Sequence, residues 1–205
     1  MRLGLLGPAE DDLDGLARAA EFLVNGAKVE KAIYLGDDGA LEDIVEAWAE
    51  SLVGGDPSDG GIWDRAFDVA RCGTPAEIDA FLKGERGRLR LKTLQSLPRD
   101  TLRTVEMFGD RVAVLCHDKG LLDEEDIFSA TLLVFGKSDV PLAKKIGTRW
   151  FITPGRIGAP GGGALVLDDE ADEMTATIYD ADGKASIKET LAAARSATFR
   201  ITGQT

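Results

Sequence analysis

A chain of 205 residues, 44% of them hydrophobic, can bury one substantial core, and the length fits a single domain over 1–205 better than two. A net charge of -12 argues against nucleic-acid binding, which needs clustered Lys and Arg on phosphates, and reads most simply as solubility. Cys72 and Cys116 are too few for a disulfide framework, so a reducing cytoplasm is expected; Arg2 to Leu6 is too short for a signal segment, and no apolar stretch approaches a membrane span.

Arg2 to Leu6 reads as a buried first strand ended by Gly7 and Pro8. Asp11 or Asp12 then caps a helix whose apolar face runs through Leu13, Leu16, Ala17, Ala20, Leu23 and Val24 and stops at Asn25 and Gly26. Lys31 to Leu35 is the second strand, Gly36 to Gly39 its loop, and Leu41 to Leu52 an amphipathic helix. This β-α-β-α opening favours a parallel sheet. Residues 54–61, with four Gly and Pro57, are expected to form a mobile surface loop flanked by Trp48 and Trp63. Either both indoles pack at the core edge or they form an exposed aromatic patch for another protein.

Ala66 to Cys72 reads as a third strand and Pro75 to Leu82 as a helix, with Arg86 to Arg90 a solvated basic helical stretch. Thr104 to Phe108 and Arg111 to Cys116 alternate about Gly109-Asp110 as a hairpin, and His117, the only histidine, follows. A short acidic helix at Asp123 to Phe128 leads to a strand at Thr131 to Phe135, a hairpin of Pro141 to Ile146 with Arg149 to Ile152, and a return through Gly158 to Gly163 into Ala164 to Leu167. Glu173 to Tyr179 and a hairpin at Asp180 to Gly183 extend the sheet; Ile187 to Arg195 is expected as a helix and Thr198 to Thr202 as a last strand.

Polar residues just past a strand that ends at Gly are where α/β proteins build sites. Here they are Gly136-Lys137-Ser138-Asp139-Val140-Pro141, followed after the hairpin by Thr153-Pro154-Gly155-Arg156-Ile157-Gly158. This pattern resembles the small calcineurin-like metallophosphoesterases, where the first segment is Gly-His-Thr-His-x-Pro and the second Asn-Pro-Gly-Ser-x-Gly. The resemblance implies an α/β fold with a two-sheet β-sandwich flanked by helices, and two metal ions at strand ends. It also implies which ligands are gone. The first motif, Asp-x-His-Gly-Asn, is matched by Pro8-Ala9-Glu10-Asp11-Asp12; the second, Gly-Asp, by Gly36-Asp37. The third, Gly-Asn-His, aligns with Gly73-Thr74-Pro75, and the fourth, His-Gly, with His117-Asp118. Among ligand positions only Asp37 and His117 match, with Glu10 and Asp139 as substitute carboxylates, and a lysine at Lys137 opposes cation binding.

The leading expectation is therefore a catalytically inactive phosphoesterase-fold protein with no metal, working as a protein-binding scaffold or regulatory module. The resemblance supplies a precedent of type, since the retromer complex contains a subunit of this fold used for protein contacts. The alternative is a metal-dependent phosphodiesterase using Mn, Zn or Fe at a rearranged or mononuclear site of Glu10, Asp37, His117 and Asp139, with Asp37 and His117 as the catalytic pair. A third reading gives Lys137 and Arg156 a small anion or nucleotide. Cys72 and Cys116, placed at strand ends, could join His117 and Asp37 in a single zinc or redox site, although buried small residues are the simpler account. The sequence names no partner and leaves a homo-oligomer open.

Overall fold

The computed structural model describes residues 1–169 and 173–191, and it stacks two mixed sheets face to face. The first has six strands in the order β11-β10-β9-β1-β2-β3, the second five in the order β4-β5-β6-β8-β7. The strands are β1 (Arg2–Leu6), β2 (Lys31–Tyr34), β3 (Leu94–Ser96), β4 (Arg103–Phe108), β5 (Arg111–Cys116), β6 (Leu132–Phe135), β7 (Leu142–Ile146), β8 (Arg149–Thr153), β9 (Gly163–Asp168), β10 (Met174–Asp180) and β11 (Ala185–Leu191). The helices are α1 (Leu13–Glu21), α2 (Ala40–Val53), α3 (Ile62–Cys72), α4 (Pro75–Leu91) and α5 (Glu124–Ser129).

Strand alternation explains the layers. Leu3, Leu5, Ile33, Leu35, Leu165 and Leu167 point from the first sheet into a core shared with Ala113, Leu115, Leu132, Val134 and Ile152 of the second. The opposite face of the first sheet presents Leu6, Ala32, Tyr34 and Val166 to Leu16, Ala19, Ala20 and Leu23 of the α1 segment and Leu41 of α2. Val114 and Leu133 of the second sheet form a separate small cluster with Ala130, the residue that ends α5. β1 lies between parallel β2 and antiparallel β9, and β5, β6 and β8 run parallel to their neighbours in that row, which gathers several strand ends at one edge of the sandwich.

Three expectations are corrected. Ala66 to Cys72 is not a strand but the second half of α3, since Ile62, Ala66 and Val69 recur at helical spacing once the window begins at Ile62. Asp64 in the first turn and Arg71 in the last suit the helix dipole. Pro75 to Leu82 is only the first half of α4, which Thr74 opens with a capping box to Glu77 and which runs on through the basic stretch to Leu91. The strand that does pair with β2 is the short β3. Finally, 187–191 is not helical: Ile187, Glu189 and Leu191 lie in β11, paired through the Asp180–Gly183 turn with Ile178, Ala176 and Met174. The terminal strand expected at Thr198 to Thr202 falls outside the described residues.

Candidate functional site

The strand ends are brought together by glycines that permit backbone contact. A Cβ on Gly7 would stand 1.8 Å from the carbonyl oxygen of Gly155, and one on Gly136 would stand 2.6 Å from that of Leu35. No side chain fits at either position. The loops they admit are stitched by backbone hydrogen bonds: Arg156 N donates to the Ser138 carbonyl, Ile157 N to that of Pro8 (2.8 Å each) and Lys137 N to that of His117 (2.7 Å).

The loop after β1 turns sharply. Glu10 and Asp11 both have positive φ, 44° and 75°, where non-glycine residues are strained. The turn is held because Asp12 caps α1, accepting from Gly15 N at 2.9 Å, and because Ala9 N donates to the buried Tyr34 hydroxyl at 2.9 Å. That hydroxyl in turn donates to Asp38, at 2.9 Å and 3.1 Å to its two oxygens. Asp38 accepts from Ala40 N as α2 begins. One buried phenol thus joins the loops after β1 and β2.

Of the four carboxylate and imidazole positions singled out, the structure brings two together and draws the other two elsewhere. His117 Nδ1 lies 2.8 Å from the Leu35 carbonyl, so that nitrogen carries the hydrogen and Nε2 turns toward Asp37, 3.6 Å from its Oδ2. Glu10 and Asp139 flank Arg156: its Nε is 3.5 Å from Glu10 Oε2 and 3.8 Å from Asp139 Oδ1. Lys137 Nζ pairs with Asp118 Oδ2 at 3.1 Å. The Asp118 carboxyl is held below its ordinary value by the Gly120 N–H first and Lys137 second. The two cations read as anion-binding residues therefore already face carboxylates of the same chain.

This donor set does not fit a binuclear metal centre, nor a closed four-donor site. Asp37 and His117 supply two donors, and the nearby cationic side chains engage the other carboxylates. Among the described residues no group of three or more His, Cys, Asp or Glu side chains has metal-holding geometry. The four-residue Cys72, Cys116, His117 and Asp37 grouping is excluded: Cys72 is exposed at the end of α3, while Cys116 is buried with its thiol toward the Val134 carbonyl. Burial pushes that thiol up to about 12.

Thr74 does not reach the strand ends at all, because it caps α4. The residues at the end of β3 and just past it reach the Asp37 loop instead. There Ser96, Leu97 and Arg99 line a cleft of about 230 Å³ with Asp37, Asp38 and Glu42, and Ser96 Oγ donates to Glu42 at 2.7 Å. Only Pro98, a terminator after three apolar-to-polar residues, marked β3 in the sequence. Of the two tryptophans, Trp48 is half-buried against the α1 and α2 core, whereas Trp63 is 77% exposed on α3.

No protein-family model matches the sequence, and no curated protein sequence matches it. Solved structures do. The class is an α/β sandwich of two mixed sheets with helices outside. An archaeal phosphodiesterase superposes with a TM-score of 0.50 at 15% identity, covering 86% of this chain and 98% of that one. A predicted phosphoesterase from Streptococcus pneumoniae gives 0.47 at 13% identity over 93% and 98% of the two chains, and a single mutant of Vps29 from Entamoeba histolytica 0.47 at 12% over 93% and 99%. The fold is that of the calcineurin-like metallophosphoesterases. Among the described residues, no helix is long and apolar enough to cross a membrane.

Proposed function

We propose that this chain is a noncatalytic member of the phosphoesterase-like fold that acts as a scaffold or regulatory module by binding another protein in the cytoplasm. The observation that carries this reading is Arg156 lying between Glu10 and Asp139. A guanidinium is permanently charged, so it opposes a divalent ion approaching the carboxylates that would have to bind it. Lys137, paired with Asp118 and bonded through its backbone N–H to the His117 carbonyl, adds a second fixed positive charge. The exposed Trp63 and Phe67, one turn apart on α3, support a protein partner, since aromatic residues are enriched where interfaces bind tightly.

The test is elemental analysis of the purified chain after incubation with Mn, Zn or Fe, beside hydrolysis of an aryl phosphodiester. The expected outcome is well under one ion per chain and no activity above an Asp37→Ala control. Retention of two ions together with Asp37-dependent, chelator-sensitive hydrolysis overturns the reading in favour of a metallophosphodiesterase.

A further inference from the structure

An eleven-residue helix ordinarily keeps its place by burying an apolar stripe, each large side chain contributing about 1.5–3 kcal/mol when fully covered. None of the residues of α3 is buried, although the helix carries Ile62, Trp63, Phe67 and Val69. Its neighbour α4, whose buried residues are the charged Glu85 and Arg88, is seated by close backbone approach, with Gly84 and Gly87 against Leu52 of α2; a Cβ on Gly84 would stand 2.6 Å from the Leu52 carbonyl oxygen.

What fastens α3 is charge. The Glu85 carboxylate of α4, 5% exposed, takes Arg65 of α3 on one oxygen, with Nε at 2.8 Å and Nη2 at 2.6 Å. Its other oxygen takes Arg88 Nε at 2.8 Å. Arg88, 6% exposed, reaches onward to the Pro57 carbonyl at 3.0 Å and Asp59 Oδ1 at 2.8 Å, while Lys92 holds the other Asp59 oxygen at 2.7 Å. Arg65 also donates to the Asp56 carbonyl. One buried carboxylate thus connects α3, the 54–61 loop and α4. Between these helices lies a cavity of about 490 Å³ whose apolar lining includes Leu52, Val53, Val69 and Phe81.

We infer that α3 with the 54–61 loop is a strap latched by the Arg65–Glu85–Arg88–Asp59 cluster, able to open as a local unit and uncover the cavity between α2 and α4 while both sheets stay folded. The physical ground is the contrast in fastening. Apolar burial ties an element into the cooperative core, whereas a charge cluster holds only while each member keeps its partner, and losing one strands the rest. The inference stands on this geometry and does not depend on whether the strand-end site is catalytic.

Amide hydrogen exchange on the full chain tests it, comparing wild type with Arg65→Met, which keeps an apolar stem and leaves Glu85 its second arginine, and Glu85→Gln, which leaves two guanidinium groups without their shared counter-charge. In wild type, α3 amides are expected to exchange at least tenfold faster than those of β1 and β9. Arg65→Met should raise exchange in α3 and 54–61 at least another tenfold with β1, β9 and α1 unchanged, and Glu85→Gln should do so further. Unchanged α3 exchange in Arg65→Met overturns the inference. So does acceleration of α3 only in step with the core strands, or failure of Arg65→Met to fold, since either makes α3 part of the global unit.

Discussion

Arg156 Nε stands 3.5 Å from Oε2 of Glu10, a contact between the loop leaving β8 and the strained turn leaving β1. All three members of the Glu10–Arg156–Asp139 group are solvent-accessible, and exposed pairs contribute about 0–1 kcal/mol, so the contact matters more for local charge than for stability. Arg156→Ala should lower Tm by no more than a few degrees. Removing the guanidinium leaves Glu10 and Asp139 as two carboxylates without the cation they share, so millimolar Mn²⁺ should raise the Tm of the variant and leave that of wild type unchanged in a thermal-shift measurement. Equal shifts in both proteins would show that Arg156 does not govern cation binding.

Tyr34 gives a sharper energetic prediction. Its phenol is pushed far above its ordinary value, chiefly by burial and further by Asp38, with the Ala9 N–H acting in the opposite sense, so it remains a hydrogen-bond donor to Asp38 throughout the physiological range. Tyr34→Phe leaves the Ala9 N–H without its acceptor and should cost about 1–3 kcal/mol in denaturant unfolding, with an unchanged m-value.

Backbone contact predicts a larger effect at Gly7. A methyl group there would meet a carbonyl oxygen 1.8 Å away, and neither side of the contact is a flexible side chain. Gly7→Ala should therefore exceed the roughly 1–3 kcal/mol of ordinary overpacking and reduce soluble yield sharply, read by expression and circular dichroism.

The two thiols should separate cleanly. Cys72 is exposed and should react at once with a disulfide reagent at neutral pH. Cys116, fully buried and pushed up to about 12, should react only after unfolding, so native and denatured titrations should differ by one thiol per chain.

Acid should loosen the latch before the core. Hydrogen bonds from Lys92 first and Arg88 second hold Asp59 down to about 2, and although burial pushes Glu85 up, Arg88 and Arg65 outweigh it and leave that carboxyl below its ordinary value. A carboxyl depressed in the folded state contributes stability that is complete above its unfolded value and lost as pH falls through the folded one. Protection of α3 and 54–61 should hold at neutral pH and fall between the ordinary carboxylate range, about 4, and about 2, followed by exchange at pH-corrected rates.

Much of this architecture was legible in the residues. Apolar runs ended by glycine or proline placed nearly every strand from β1 to β10, because a buried strand needs little beyond alternation or continuity and a stop. The side chains on offer at the strand ends were legible too, since no fold can make a carboxylate of Pro8 or an imidazole of Lys137. The sequence by itself thus determined the chemistry available at the strand ends. Pairing decided the rest: β3 is too short to announce itself and exists because β2 offers it an open edge, and 187–191 became a strand because β10 lay beside it. That Glu10 and Asp139 meet across Arg156, and that one buried Glu85 fastens α3, depends on contacts between residues far apart in the chain. Local composition carries no record of such distances, and only the folded backbone sets them.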